Sequence, residues 1–251
     1  MIKILFQGRG SHGYYQVSEM PYNDRPSRVL FSGRAASQSG LALDEDPELL
    51  FDYNQRFLEI ALSLQPKSVL IIGGGAFTFP KAMIERLDYA EVDTVEIDSL
   101  LPQLARDFFF LPNDPRLNLI TADGRDYIDN CQKRYDLIVV DAFDEYTIPH
   151  RLITTEAAEQ YAKLLSPGGV LSFNIISTYF GAPTIAHQIV ASFSRAFGVT
   201  ELYPSDPSYG QNREQNMIFV AHQGDSPNLD YLQSHTVNFR VPTDSSFELS
   251  D

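Results

Sequence analysis

Four carboxylates and one glycine turn follow short apolar runs that have the length of buried strands. The run at residues 69–72 ends in three glycines, and later apolar runs are followed by Glu96, Asp123, Asp141 and Asp144. The carboxyl ends of parallel strands meet at one rim of a sheet, so we expect these groups to converge. A single carboxylate there is usually a helix cap, but four on one rim favour a ligand site.

The glycine turn and the first acid have the chemistry of a nucleoside site. Glycines at residues 73–75 let a ligand approach the backbone closely, because no Cβ blocks the way. Glu96 comes about 20 residues after the turn, where a carboxylate can accept both hydroxyls of a ribose. The G-x-G-x-x-G spacing is broken, because residues 77–79 follow Ala76 as Phe-Thr-Phe. The pattern therefore predicts a site for a nucleoside without phosphates, rather than a purely structural turn.

The elements that must position these residues alternate along the chain. Apolar periodicity predicts strands at 69–72, 92–95, 117–120, 137–140, 170–176, 201–203 and 216–221. It predicts helices at 47–64 with Asp46 as N-cap, through 79–87, and at 100–109, 125–131, 155–165 and 183–196. The last two strands lack a crossover helix and should form an antiparallel hairpin. The prediction is an α/β fold: a mostly parallel sheet with one reversed strand and helices on both faces.

Shorter β-like runs precede this alternation. The runs at 2–6, 14–17 and 28–31 are separated by Gly, Pro, Asn and Asp and predict a small antiparallel sheet. We therefore divide the chain into an N-terminal sheet region at 1–45, a nucleoside-binding catalytic domain at 46–225 and a polar tail at 226–251.

Composition limits the class of partner. The chain has 251 residues and a net charge of −14 with only 19 Lys and Arg, which argues against a nucleic-acid binder. The single Cys131 excludes an internal disulfide framework and a Cys-rich metal site. No apolar run is long enough to span a bilayer, and no secretory leader is evident at the start, so we expect a cytoplasmic protein without membrane contact.

The order of motifs resembles that of the spermidine synthase family, the aminopropyltransferases built on the Rossmann-like class I methyltransferase fold. The matching motifs are IIGGG, VEID, ADG, VVDAFD and PGGVLSFN. The pair Tyr15-Gln16, the later Gln38 and the segment 207–210, Pro-Ser-Tyr-Gly, also match the family pattern. The resemblance implies that fold together with a small N-terminal antiparallel sheet, and it implies a homodimer.

The resemblance also implies roles for the matching residues. The implied donor-binding residues are Gln16, Gly73, Gly74, Gly75, Glu96, Asp123 and Gly124. The implied acceptor-binding residues are Gln38 and Tyr209, and the implied catalytic residues are Asp141 and, in a gate loop over residues 142–149, Asp144. The structural alternatives are a helix cap for Asp123, a turn for Asp144 and packing for Tyr209.

The implied reaction is attack by an amine on a carbon bound to a positively charged sulfur. Decarboxylated S-adenosylmethionine or S-adenosylmethionine is the implied co-substrate, a polyamine or other amine is the acceptor, and no metal is required. The amine must lose a proton, since its free pKa is near the lysine value of about 10.4. Asp141 is the implied proton acceptor, with His150 in the loop as the alternative base.

Two departures from the family pattern keep alternatives open. Ala76 stands where the family carries an acid for the donor's amino group, and residues 51–54, Phe-Asp-Tyr-Asn, replace a Tyr-His/Gln-Glu sequence of the amine site. Without that acid, glycine-loop N–H groups could bind the carboxylate of intact S-adenosylmethionine, which is the methyltransferase alternative. A non-catalytic nucleoside-binding subunit is the third interpretation, and Asp141 with Asp144 counts against it.

Overall fold

The computed structural model describes residues 2–33, 36–44, 49–144, 147–178, 184–206, 208, 213–224 and 247–251. Within them, the chain forms a four-stranded sheet followed by a seven-stranded sheet with helices on both faces. The predicted N-terminal sheet and the predicted α/β alternation are both present.

The small sheet is an antiparallel meander in which neighbouring strands are consecutive in the chain. Its strands are β1 (Lys3–Arg9), β2 (Tyr14–Tyr22), β3 (Arg25–Ser32) and β4 (Ala36–Ala42). Asn23 and Asp24 have φ angles of 47° and 62°, as the tight hairpin turn between β2 and β3 requires. The sequence did not predict β4, because its run Ala-Ser-Gln-Ser-Gly-Leu-Ala has no β-branched or aromatic residue.

The large sheet has the predicted mixture of strand directions. Its strands are β5 (Ser68–Ile72), β6 (Glu91–Glu96), β7 (Leu117–Thr121), β8 (Tyr135–Val140), β9 (Leu165–Ser177), β10 (Val199–Pro204) and β11 (Gln215–His222). Their order is β10-β11-β9-β8-β5-β6-β7. β11 pairs antiparallel with both β10 and β9, and the other neighbouring strands pair parallel, so the predicted reversed strand and C-terminal hairpin are confirmed.

Helices cover both faces of this sheet because its central strands are apolar on both sides. They are α1 (Asp52–Leu64), α2 (Thr78–Arg86), α3 (Leu100–Phe108), α4 (Gly124–Asn130), α5 (Thr155–Leu164) and α6 (Ile185–Ser194). In β5, Val69 and Ile71 pack in the core under α1 and α2, whereas Leu70 and Ile72 pack in the core under α4, α5 and α6. Among the described residues, none of these helices is long and apolar enough to cross a bilayer.

The first helix starts later than predicted. It begins at Asp52, after Phe51 in an extended conformation, rather than at residue 47. The cause lies just upstream, where Leu49 forms an antiparallel bridge with Leu41 of β4 and is thereby held extended. The proposed N-cap Asp46 lies outside the described residues.

The order of strands reverses beside β5, which has β6 on one side and β8 on the other. In open parallel sheets, ligands bind beyond the carboxyl ends of the strands at such a reversal. The rim formed by the ends of β5, β6, β7 and β8 is therefore the candidate site.

Candidate active site

Gly73 brings the ends of β5 and β8 into close contact. Its φ of +94° is a conformation that favours glycine, and a Cβ at this position would lie 2.2 Å from the carbonyl oxygen of Asp141. The Gly73 amide donates to the carbonyl of Val95 in β6 at 2.9 Å. The glycine turn is thus fixed against both neighbouring strands.

Glu96, the last residue of β6, binds the backbone of the glycine loop through its carboxylate. Its Oε2 accepts the amides of Gly74 and Gly75 at 2.8 and 3.2 Å, and its Oε1 accepts the amide of Asp98 at 3.0 Å. Burial raises the pKa of Glu96 above its usual value, although these hydrogen bonds oppose the shift. A carboxylate oxygen accepts about two hydrogen bonds, so Oε1 keeps one acceptor position for a ligand hydroxyl.

The next amide of the loop also has a protein acceptor. Ala76 donates to Oγ of Ser39, in β4 of the small sheet, at 3.1 Å. With the amides of Gly74 and Gly75 bound to Glu96, all three amides are occupied. The sequence suggested these groups as a binding site for a donor carboxylate, and the structure leaves none of the three free for it.

Asp98 fastens the small sheet to the loop after β6. Its carboxylate accepts the hydroxyl of Tyr15 at 3.0 Å and the amides of His12 and Leu100 at 2.8 and 3.0 Å. Burial alone would raise the pKa of Asp98, but the hydrogen bonds outweigh it and hold the pKa below its usual value. The small sheet therefore forms a wall of the candidate site.

Asp141 follows β8 and is held by two side chains from other elements. Asn174 of β9 donates from Nδ2 to Asp141 Oδ1 at 3.0 Å, and the hydroxyl of Tyr53 in α1 hydrogen-bonds to the same carboxylate. Burial raises the pKa of Asp141 to about 6, while the bonds from Asn174 and Tyr53 limit the rise. At neutral pH Asp141 is mostly ionised, and it is a stronger base than an ordinary aspartate.

The side chains around Tyr53 offer more acceptors than donors. The single hydrogen of the Tyr53 hydroxyl faces two acceptors, the carbonyl of Gln38 at 3.2 Å and the Asp141 carboxylate, and the hydroxyl also hydrogen-bonds with the Asn54 side chain. On the described residues next to Tyr53 and Asp141, three buried amide oxygens have no hydrogen-bond donor: Gln38 Oε1, Asn54 Oδ1 and Asn174 Oδ1. Buried polar atoms usually have partners, so a ligand that supplies N–H groups would satisfy them.

A cavity of about 290 Å³ lies between the Tyr22-Asn23 turn, the start of α1 and the start of β11. Tyr53 lines it, together with the acidic residues Asp52, Asp206 and Glu214. Burial raises the pKa of Asp52, and the charge of Asp206 adds to the shift. Apart from Arg213, the charged side chains that line this space are acidic.

Three further predicted residues, Asp123, Gly124 and Asp144, have structural contacts of their own. Asp123 is the N-cap of α4, accepting the amide of Asp126 at 3.0 Å, so the helix-cap alternative describes its position. Gly124 starts α4 so close to β5 that a Cβ would lie 2.5 Å from Cγ2 of Ile72. Asp144 is exposed, and its backbone exchanges two hydrogen bonds with that of Thr147.

Gln16 and Tyr209 are the remaining two of the predicted binding residues. Gln16 accepts from Gln7 at 2.7 Å and donates to Ser18 at 2.8 Å, so its amide is used within the small sheet. Tyr209 lies outside the described residues. The alternative base His150 is exposed, in a single 3-10 turn after the loop.

Sequence reasoning gave no catalytic role to Tyr53 or Asn174. Asn174 lies within the quoted motif PGGVLSFN, and a polar residue in the middle of an apolar strand was a usable signal. Tyr53 gave a weaker signal, because an aromatic residue on the apolar face of a helix usually serves packing. Among the described residues, no cluster of His, Cys, Asp or Glu is arranged to hold a metal ion.

Comparison with known proteins agrees with this geometry. The family model described as the spermine/spermidine synthase domain matches residues 51–226. The chain belongs to this family. This match covers β5 to β11, and with them the glycine loop, Glu96, Asp141 and Asn174.

The relatives that match this chain include proteins named as aminopropyl transferases and proteins named as N-methyltransferases. A probable polyamine aminopropyl transferase of Bifidobacterium longum is 26% identical over 245 residues, covering 96% of this chain and 52% of the relative. Putrescine N-methyltransferase 2 of Nicotiana tabacum is 33% identical over 220 residues, covering 82% of this chain and 55% of the relative. The chain therefore spans about half the length of the curated relatives that it matches.

Solved structures share the fold of this family member. A probable spermidine synthase from Corynebacterium glutamicum superimposes with a TM-score of 0.78 at 20% identity, covering 96% of this chain and 89% of that one. This likeness establishes the fold: the methyltransferase-like sheet with one reversed strand, preceded by a small antiparallel sheet.

Proposed function

We propose that this chain transfers the aminopropyl group of decarboxylated S-adenosylmethionine to a nitrogen of a polyamine. The observation that carries the proposal is the environment of Asp141, a carboxylate whose pKa burial raises to about 6 and which Tyr53 and Asn174 hold in place. Its position beyond β8, at the reversal of strand order, supports a role next to the reacting atoms.

The donor side of the proposal rests on the glycine loop and Glu96. The loop at residues 73–75 would lie against the sulfonium side chain, and the remaining acceptor position on Glu96 Oε1 would take a ribose hydroxyl. Asp123 and Gly124, at the start of α4, would lie on the adenine side, with Gln16 nearer the small sheet. Each of these assignments follows the family resemblance, and the shared rim of the sheet supports it.

The acceptor side requires a neutral amine. A primary amine has a pKa near 10.4 in water, so it arrives protonated and must lose a proton before its lone pair can attack. In the proposed reaction the proton passes to Asp141, a nitrogen–carbon bond forms and the carbon–sulfur bond breaks. The sulfur keeps the electron pair and becomes a neutral thioether, so charge and atoms balance.

The acceptor is proposed to be a polyamine because the surroundings of Tyr53 suit a polycation. Three buried amide oxygens without donors lie on residues around Asp141 and Tyr53, and N–H groups of an amine would complete them. The acidic cavity beyond Tyr53 could hold a second ammonium group. Gln38 and Tyr209 are retained as acceptor-side residues of the proposal. Asp144, to which the resemblance assigns a catalytic role, is proposed to act on the acceptor side, because its side chain is exposed.

Methyl transfer from intact S-adenosylmethionine is the second candidate. Ala76 in the glycine loop and the 33% identity to a putrescine N-methyltransferase favour it. The occupied amides of Gly74, Gly75 and Ala76 count against it, because a donor carboxylate would have to displace Glu96 or Ser39. We therefore rank aminopropyl transfer first.

Calorimetric titration separates the candidates. The protein would be titrated with decarboxylated S-adenosylmethionine, S-adenosylmethionine and methylthioadenosine, and turnover would then be measured with putrescine and spermidine. Tighter binding of the decarboxylated donor is the expected result. Preference for the intact donor with methylated product would establish the second candidate, and a nucleoside complex without turnover would indicate a binding subunit.

Assembly, location and domain limits belong to the same proposal. We infer a homodimer that acts in the cytoplasm, with a tail at 226–251 following the catalytic domain at 46–225. The exposed apolar side chains of Ile2 and Ile4, 61% and 53% exposed near the sheet edge at β1, support a protein contact there. Light scattering of the protein and of an Ile2→Lys, Ile4→Lys double variant tests this interface.

A further inference from the structure

Arg125, in the first turn of α4, is a buried cation that joins separate parts of the chain. Its guanidinium binds Asp129 on its own helix with two contacts of 3.0 Å. It also donates to the carbonyl of Arg151 at 2.9 Å and to the hydroxyl of Thr154 at 3.3 Å. Arg125 thus links α4 to residues 150–154, which follow the loop that carries Asp144.

The strongest contact of Arg125 comes from a distant segment, residues 247–251, which we call the tail strap. Both oxygens of the Asp251 carboxylate accept from Arg125 at 2.7 Å, in the two-pronged geometry of a strong ion pair. Asp251 also accepts the hydroxyl of Thr154 at 2.8 Å. The carboxylate therefore bridges Arg125 and the N-cap of α5.

The backbone of the tail strap is fastened as well. The Leu249 amide donates to Oγ of Ser192 in α6 at 2.8 Å, and the Leu249 carbonyl accepts the amide of Thr155 at 2.8 Å. The Leu249 side chain packs against the core on this face of the sheet. Side-chain and backbone contacts to α4, α5 and α6 show a built binding site for the strap.

The position of this contact connects it to the donor site. Asp123 is the residue that caps α4, two positions before Arg125. Its carboxylate is 3.4 Å from the guanidinium of Arg151, whose other nitrogen donates to Asp126 at 2.8 Å. The carbonyl of Arg151 is one of the groups that Arg125 holds. Arg125 and Arg151 therefore clamp the first turn of α4 against residues 150–154.

We propose that Asp251 is a positioning residue for nucleoside binding, acting through Arg125 on the α4 turn that presents Asp123. The inference rests on the proposed function, because it takes the carboxyl end of β7 as part of the donor site. Without the Asp251 carboxylate, Arg125 loses its two shortest contacts, and its grip on residues 150–154 weakens. Asp123 then loses its fixed orientation, although it remains in the chain.

The test compares three variants of the full chain by calorimetric titration with methylthioadenosine. Asp251→Asn removes the charge of the strap, Asp251→Glu keeps a carboxylate for Arg125, and Glu248→Gln is the matched control. Glu248 lies in the same described segment and is not among the hydrogen-bond partners of Arg125. We expect Asp251→Asn to weaken nucleoside affinity roughly two- to thirtyfold, as couplings relayed through neighbouring residues do. Asp251→Glu should recover most of it, and Glu248→Gln should match the parent.

Two further readouts distinguish positioning from general destabilisation. Acceptor KM and the pH dependence of kcat should be unchanged in Asp251→Asn, because Asp141 lies on another strand. Equal nucleoside affinity in Asp251→Asn and the parent would overturn the positioning role of Asp251. A rise in acceptor KM as large as the loss in donor affinity would overturn it as well. Absence of nucleoside binding by the parent would instead overturn the proposed function, and this result differs from a parent that binds with the same affinity as Asp251→Asn.

Discussion

The side-chain amide of Asn174 donates a 3.0 Å hydrogen bond to Oδ1 of Asp141, across two neighbouring parallel strands. Tyr53 reaches the same carboxylate from α1. A half-buried acid whose hydrogen-bond partners are two neutral side chains keeps a raised pKa, because neither partner supplies a full positive charge. This arrangement produces a base of intermediate strength.

Replacement of Asp141 by Asn should separate binding from turnover. The amide keeps the shape of the side chain but cannot accept a proton, so turnover should fall by roughly 10²–10⁴ while nucleoside affinity is retained. Steady-state kinetics and calorimetry on one preparation provide the measurement. Asp144→Asn is the comparison, since that exposed acid should affect acceptor KM more than turnover. Near-normal turnover of Asp141→Asn would show that Asp141 is not the proton acceptor.

The same substitution should increase stability above neutral pH. The folded pKa of Asp141 is about 6, above the unfolded value of about 3.9, so the folded state binds the proton more tightly. Stability linked to this group is present at low pH and is lost as the pH rises through 6. Asp141→Asn should therefore melt at a higher temperature than the parent at pH 8, with a smaller difference at pH 5. A lower melting temperature at pH 8 would mean that the ionised carboxylate braces the loop.

Removal of the Tyr53 hydroxyl should move the acid limb of the pH–rate profile. That hydroxyl stabilises the charged form of Asp141, so Tyr53→Phe should raise the apparent pKa by roughly one unit. The stacked ring contact with Phe51 is retained in the variant. Tyr161→Phe is the control, because the Tyr161 hydroxyl is buried without a partner among the described residues. An unshifted acid limb in Tyr53→Phe would assign the limb to another group.

Glu96→Gln should weaken the binding of decarboxylated S-adenosylmethionine, S-adenosylmethionine and methylthioadenosine by a similar factor, and it should also lower the stability of the fold. In the parent, both oxygens of Glu96 accept hydrogen bonds from backbone amides, those of Gly74, Gly75 and Asp98. Glutamine has one acceptor oxygen, so its NH₂ group would face at least one of these N–H donors and could not accept from it. The lost bond is typically worth about 1–3 kcal/mol in unfolding free energy. Glu91→Gln, at the exposed start of the same strand, is the matched control. Unchanged methylthioadenosine affinity in Glu96→Gln would show that the nucleoside site is elsewhere.

Gly73→Ala should cost far more stability than Gly168→Ala. Both glycines have positive φ angles, +94° and +79°, so both substitutions strain the backbone by about 1 kcal/mol or more. Only at Gly73 would the new Cβ meet a backbone atom, the Asp141 carbonyl oxygen at 2.2 Å, whereas Gly168 has open space. Chemical denaturation of the two variants measures the difference. Equal losses would show that the β5 and β8 ends separate easily.

Much of the fold was predictable because strand and helix periodicity are local properties of the chain. The apolar runs located β5 to β11, and the missing crossover helix predicted the reversed strand, which the pairing of β11 with β9 and β10 confirms. Local signals failed at β4, whose residues have weak strand preference, and at the start of α1. There the bridge between Leu41 and Leu49, which depends on the small sheet, holds Leu49 extended, and the helix begins at Asp52.

For the candidate site, the sequence by itself determined which acids follow strands and therefore share one rim. Only the tertiary structure decided what each acid contacts. Packing of α1 and β9 against β8 brings Tyr53 and Asn174 to Asp141, and burial there is what raises its pKa. In the same way, the loop amides face Glu96 and Ser39 only once β6 and β4 are in place. Motifs specify residue types along the chain, whereas desolvation and hydrogen bonding depend on neighbours that are distant in sequence.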